Sequence, residues 1–278
     1  MIGGHSKEVL SGERFEFGEN WASFLDTLDD ERVHQAEKSL REMIGINELT
    51  GKTFLDAGSG SGLFSLAARR LGAKVYSFDF DPKSVACTRE LKRRYFSDDS
   101  EWVVQEGSVL DKEYLQQLGE FDIVYSWGVL HHTGSMWSAL GHVAPLVSRG
   151  GLLFIAIYND QGGASKRWMT LKKLYNKHCF LRFPLALYTL IRQFTITFIC
   201  DTLKGRPTKS WREYKKQRGM SAWHDIVDWI GGYPFEVAKP EDVFDFFSKK
   251  GFFLARLKTC AGGLGCNEFV FTLPVVKS

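Results

Sequence analysis

The sequence predicts an α/β fold: a parallel sheet covered by helices on both faces. Two observations carry that expectation. Short apolar strands and helical runs alternate from Thr53 to Tyr158, the pattern of strands joined by helical crossovers. Within that alternation, the run Thr53–Ala57 carries Asp56 and gives way to Gly58, Gly60 and Gly62, after which a helical run begins at Leu63. Glycines suit such a turn because a side chain would hold a ligand off the backbone, and some turn positions need positive φ. The N–H groups at the helix start favour an anion, a phosphate or a carboxylate. Ligands of these sheets bind beyond the carboxyl ends of the strands. Asp56, Gly58, Asp79, Ser108, Trp127 and Tyr158 therefore fall on one rim.

Composition sets the class. The chain has 278 residues, 44% of them apolar and 14% aromatic, enough for one large core or a core with a small cap. A net charge of +3 does not call for nucleic acid as a partner. The five cysteines, Cys87, Cys179, Cys200, Cys260 and Cys266, form no C-x-x-C pair, so neither a disulfide framework nor a zinc site is expected. Met1–His5 lacks the basic flank and apolar run of a secretory signal, and a cytoplasmic enzyme is the expectation.

Five segments, in order, resemble the class I S-adenosylmethionine (SAM)-dependent methyltransferases. Thr53–Leu63, with its G-x-G-x-G, is similar to that family's first motif. Val75–Asp79 is similar to its second strand, Gln105–Asp111 to its adenine segment, Phe121–His132 to its fourth motif, and Arg149–Tyr158 to its turn and fifth strand. The nearest group is the type 11/12 one that includes ubiquinone-biosynthesis-like O-methyltransferases. The resemblance implies a Rossmann-like seven-stranded sheet, SAM as cofactor and S-adenosylhomocysteine (SAH) as product. It assigns Asp56, Gly58, Ser59, Gly60 and Gly62 to the methionine portion. Asp79 and Phe80 go to the ribose side, Ser108 and Val109 to adenine, and the Trp127 backbone lies under the methionine. Ser108 departs from the acid that often accepts the adenine amino group.

The chain then divides into four parts: 1–50, an N-terminal segment and helix over the cofactor mouth; 51–158, the SAM-binding core; 159–239, a helical cap insertion; and 240–278, a helix and strands completing the sheet. Residues 1–30 read as irregular, and Phe15, Phe17, Trp21 and Phe24 either pack that segment down or fold it over the mouth. Asp30–Ile44 reads as a helix with an apolar stripe, capped by Asp29 or Asp30. The plan of the family needs only a helix and two strands after Tyr158. Pro240 starts that helix, and Phe252–Lys258 and Phe269–Leu273 supply the strands. The roughly 80 residues between are too many for a plain loop.

Methyl transfer to a hydroxyl needs alignment and a proton acceptor. His131 and His132 follow the fourth strand on the rim; because they are consecutive, at most one is expected to face the substrate, the bland reading being a packing histidine. His224, in Met220–Glu236, is a third candidate, with Asp225 or Asp228 as orienter. Trp223, Asp228 and Tyr233 of that stretch, with Tyr158, are the expected acceptor ligands, since flat rings beside acids suit a sugar or an aromatic ring. No metal site is expected. Phe183–Cys200 is nearly apolar: a buried cap helix, a homodimer face, or a face resting on a membrane. Lys204–Arg218 holds seven basic residues and one acidic one, a solvated face or a site for phosphate, anionic lipid or RNA. Cys260–Cys266 joins the last strands and is expected near the pocket.

The reading is O-methylation of a small hydroxylated acceptor, a saccharide or a phenolic or quinol ring. The alternatives are S- or N-methylation, tRNA modification, and a SAM-binding module without catalysis.

Overall fold

The computed structural model describes residues 4–25, 28–210 and 222–275. Seven strands form one sheet: β1 Thr53–Ala57, β2 Lys74–Asp79, β3 Trp102–Glu106, β4 Phe121–Trp127, β5 Val147–Tyr158, β6 Phe253–Lys258 and β7 Cys266–Thr272. Their order is β3-β2-β1-β4-β5-β7-β6. The first five run parallel, and β7 is antiparallel to both β5 and β6. Strand order reverses between β1 and β4, and a crevice at such a reversal is where open α/β sheets take ligands. The buried strand residues divide between two clusters. Leu55, Val124, Leu153, Phe269 and Phe271 belong to one, Phe54, Val75, Ile123 and Phe154 to the other.

Helix boundaries follow local chemistry. The first two helices are α1 Gly4–Leu10 and α2 Gly18–Leu25, where the sequence suggested irregular chain. Helices of seven and eight residues are marginal alone, and docking supplies what propensity lacks. Gly18 N–H donates to Asp81 Oδ2 (2.8 Å), and the buried His5 lies 3.7 Å from the same carboxylate. α3, Asp30–Ile44, starts at Asp29, whose carboxylate accepts from Arg32 N, and stops at Gly45 in the left-handed region. α4, Leu63–Arg70, follows the glycine turn. α5, Pro82–Tyr95, is capped by Asp81 with Pro82 in its first turn. α6 Lys112–Leu118 and α7 Met136–Val143 complete the crossovers.

Between Asn159 and Lys239 lie α8 Gly163–Lys177, α9 Cys179–Leu203 and α10 Ala222–Gly231. They pack around Trp168, Tyr175, Ala186, Ile226, Ile230 and Phe235, a small core separate from the two on the sheet. The chain then returns through α11, Pro240–Ser248, to the last two strands.

Candidate active site

The turn after β1 is closed on itself. Gly58 and Ser59 N–H both donate to Phe78 O (2.8 and 3.0 Å), Gly62 N–H to Ser59 O (2.8 Å), and Gly60 N–H to Asp79 Oδ2 (2.9 Å). Those four turn donors are engaged within the chain. Glycine is required at Gly58, where φ is +90° and a Cβ would come 2.4 Å from Val129 Cγ1. Gly62 has another task. It does not line the cleft, and a Cβ there would meet Thr88 Cα at 2.9 Å, so it lets α4 and α5 approach rather than touching ligand.

A cleft of about 870 Å³ opens above this turn. Its cofactor half is acidic. Asp56 and Asp79 line it, and burial pushes their carboxyls up to about 7 and about 6. Asp56 is held by a buried relay. Ser65 Oγ donates to Asp56 Oδ2 (2.5 Å), which commits its one hydrogen. Ser77 Oγ, 2.7 Å away, must then donate to Ser65, and it accepts from Trp102 Nε1 at 2.9 Å. Asp56 Oδ1 is left buried without a partner. Asp79 Oδ1 accepts from Asp81 N, so both its oxygens are braced by backbone. Ser59, Gly60, Phe80, Ser108, Val109 and Trp127 also line the cleft. Ser108 Oγ accepts from Leu110 N at 3.1 Å, which fixes the turn carrying it. From the N-terminal segment come Phe15, Phe17, Trp21 and Phe24; a Cβ on Gly60 would sit 3.2 Å from Trp21 Nε1.

The other half is walled by the end of β5 and by the cap. Tyr158, Trp168 and Trp229 supply rings, while Asp228, Arg192 and Gln193 supply polar groups. His132 stands between the halves. Its Nδ1 lies 2.6 Å from Pro234 O, a group that only accepts, so Nδ1 carries the hydrogen and Nε2 keeps its lone pair. Burial pushes its pKa down to about 3, leaving the ring neutral near pH 7. Phe17 packs on the ring (5.1 Å between centroids), and Arg14 Nη1 donates to His132 O.

Several sequence assignments are placed elsewhere. His131 is fully buried and off the cleft wall, its ring 4.0 Å from that of Tyr158 and its Nδ1 accepting from Tyr158 N at 3.4 Å. It braces Tyr158 rather than facing a substrate. Trp223 packs at the outer cap surface against Phe183, away from the cleft. Tyr233 is also off the wall, and its carbonyl accepts from Phe15 N at 2.9 Å. The side chains of His224 and Asp225 lie outside the described residues. Cys260 and Cys266 are free thiols, and Leu264, Gly265 and Cys266 reach the cleft.

Four residues had no sequence signal strong enough to single them out. Asp81, which ties α2 down, was readable only as the cap before Pro82. Arg192 and Gln193 looked like interruptions of an apolar run. Lys172 is fully buried over the Trp229 ring (4.1 Å) and donates to Trp229 O. Burial pushes its pKa down to about 7, opposed by Asp228.

A model of the methyltransferase-domain family matches residues 29–195. The chain belongs to this family. Among curated relatives, it is 35% identical over 111 residues to the ubiquinone biosynthesis O-methyltransferase of Xanthomonas campestris, covering 40% of this chain and 45% of the relative. The enzyme of the same name from Rhizobium johnstonii is 32% identical over 130 residues, covering 46% and 50%. The chain thus spans about half the length of the curated relatives it matches. Among solved structures, magnesium protoporphyrin IX methyltransferase of Synechocystis, with SAH bound, superposes with a TM-score of 0.51 at 17% identity, over 86% of this chain and 82% of that one. PKMT2 of Rickettsia typhi, in complex with AdoHcy, gives 0.53 at 12% identity, over 85% and 52%. At these identities the likeness establishes the shared fold.

SAM is the cofactor of this methyltransferase, and the residues present fit it. A buried Asp56 oxygen without a partner suits the methionine ammonium, and two acids raised by burial call for a cation. The self-closed turn disfavours the pyrophosphate of a dinucleotide.

Proposed function

We propose that this methyltransferase O-methylates a small acceptor bearing a phenolic or quinol hydroxyl. The observation that carries the reading is the neutral His132 imidazole on the wall of a ring-lined chamber that opens onto the cofactor half. Bound SAM supplies an electrophilic methyl group on a sulfonium leaving group. The chain supplies the rest. Asp79 accepts from the ribose hydroxyls, Asp56 from the amino group, and Ser108 with Val109 borders the adenine. Tyr158 and Trp229 hold the acceptor ring by its faces and edges. His132 Nε2 accepts the hydroxyl hydrogen bond and orients the oxygen.

A base of low pKa suffices here. The acceptor oxygen becomes strongly acidic as its new bond to carbon forms, so the proton passes to Nε2 late. An aliphatic amine, protonated near pH 7, would have to shed a proton before attack, which a base with a pKa of about 3 does not favour. The aromatic-ring acceptors implied by the names of the curated relatives agree with the ring-lined wall. Phe15, Phe17 and Trp21 cover the cofactor and keep water from the methyl group.

The test is methyl uptake from isotopically labelled SAM by catechols and quinols, beside sugars, amines and thiols. Label on a phenolic oxygen is the expected result. Transfer only to nitrogen, sulfur or a sugar, or SAM binding with no transfer to any class, would overturn the reading.

A further inference from the structure

Helix α9 breaks the usual rule for a cap helix. Its inner face is settled: Ala186 and Thr189 are buried, and the Arg192 guanidinium lies 5.4 Å over the Trp168 ring. The opposite face should then be polar. Instead Phe183, Ile191, Phe194 and Phe198, spaced on one stripe, are 66, 56, 44 and 41% exposed. Only 11% of the most apolar 18-residue window of this helix is buried. Such a face needs an apolar medium or an apolar partner.

Charge selects between them. Of 36 basic and 33 acidic side chains in the chain, seven basic and one acidic fall within 204–218, so the remainder is net negative by three. This run begins where α9 ends. Asp201, near the end of the helix, accepts from Ser210 N and Ser210 Oγ (2.8 and 2.7 Å), which folds the stretch carrying Lys204, Arg206 and Lys209 back against it. An apolar stripe with Lys204, Arg206 and Lys209 at its end complements an anionic bilayer, and it lies flat, since the inner face is committed to the cap. The same helix lends Thr189, Arg192 and Gln193 to the cleft wall.

We propose that α9 rests on an anionic phospholipid membrane, which holds the acceptor half of the cleft, walled by the same helix, beside substrates dissolved in the bilayer. The docking stands apart from the chemistry; only the bilayer-dissolved acceptor rests on the methyl-transfer reading. The test is flotation of the full chain with vesicles of phosphatidylcholine alone, or containing about 30 mol % phosphatidylglycerol, at low and high salt. SAH affinity is measured alongside, so that loss of docking is separable from loss of the cofactor site.

The expected result is binding to anionic vesicles at least ~10-fold above neutral ones, weakened by salt. An Ile191→Asp, Phe198→Asp protein should lose about tenfold or more of that binding with SAH affinity unchanged. Reversing Lys204, Arg206 and Lys209 to Glu, which leaves the apolar face whole, should cost roughly fivefold per residue. Absence of vesicle binding by the wild-type chain overturns the proposal. So does a stable dimer, seen by light scattering, that the α9 substitutions dissolve and that vesicles do not compete.

Discussion

Burial lifts the Asp56 and Asp79 carboxyls from 3.8 to about 7 and about 6, so near neutral pH the free site holds protons that a cationic ligand must displace. The sign follows directly. The cofactor's ammonium favours ionised Asp56, so binding releases a proton, and affinity rises with pH until it levels off above about 7. Calorimetry in two buffers of different ionisation heat should show that release, and Asp56→Asn should abolish its upper step. Asp79→Asn, nearly isosteric, should weaken SAM roughly tenfold through the ribose contacts. His132→Gln should leave SAM affinity unchanged and lower kcat roughly 10²-fold. Because burial pushes the His132 pKa to about 3, kcat should stay flat through pH 6.5, where an ordinary histidine base would give an acid limb. A limb at that pH, absent from the His132→Gln protein, would contradict the assignment.

Elements divide by how their sequence signals arise. The core strands and the glycine turn were legible because each is a local pattern: an apolar run, an acid at its end, glycines where φ turns positive. The three-dimensional use of those glycines was not. Whether the N–H groups of Gly58 and Ser59 face a ligand or the Phe78 carbonyl depends on how β1 and β2 sit side by side. α1 and α2 escaped the sequence because short helices of weak propensity exist only once docked. Trp223 and Tyr233 were expected at the acceptor because they flank Asp228, yet side chains adjacent on a helix or loop point in different directions. Gly18 tests the docking of α2. A Cβ there would lie 2.4 Å from Lys83 Cβ and 2.6 Å from Asp81 Oδ2. Gly18→Val should therefore lift α2 and Trp21 and raise the Kd for SAM about tenfold, about 1.4 kcal/mol, with little change in melting temperature.

At the scale of the whole molecule, cofactor and fold are coupled. In the free chain the raised carboxyls of Asp56 and Asp79 favour the folded state at low pH, and that contribution is lost as pH rises from 3.8 through about 7. Bound SAM reverses the loss by stabilising the ionised pair. At a hundredfold excess over its Kd at pH 6 it should add about 2.7 kcal/mol there, and at that same concentration the gain in Tm should be larger at pH 8 when measured by scanning calorimetry. One feature of the sheet also bears on how the protein is made. β7, the last strand in sequence, lies inside the sheet between β5 and β6, and the loop before it contributes Leu264 and Gly265 to the cleft. A nascent chain halted short of residue 266 would display β5 as a bare, apolar edge, a template for pairing with its neighbours on a polysome. Cofactor cannot rescue such a chain, because the chamber that holds it draws on residues from His5 to Glu268. Ribosome-bound intermediates would thus rely on chaperones until β7 has emerged.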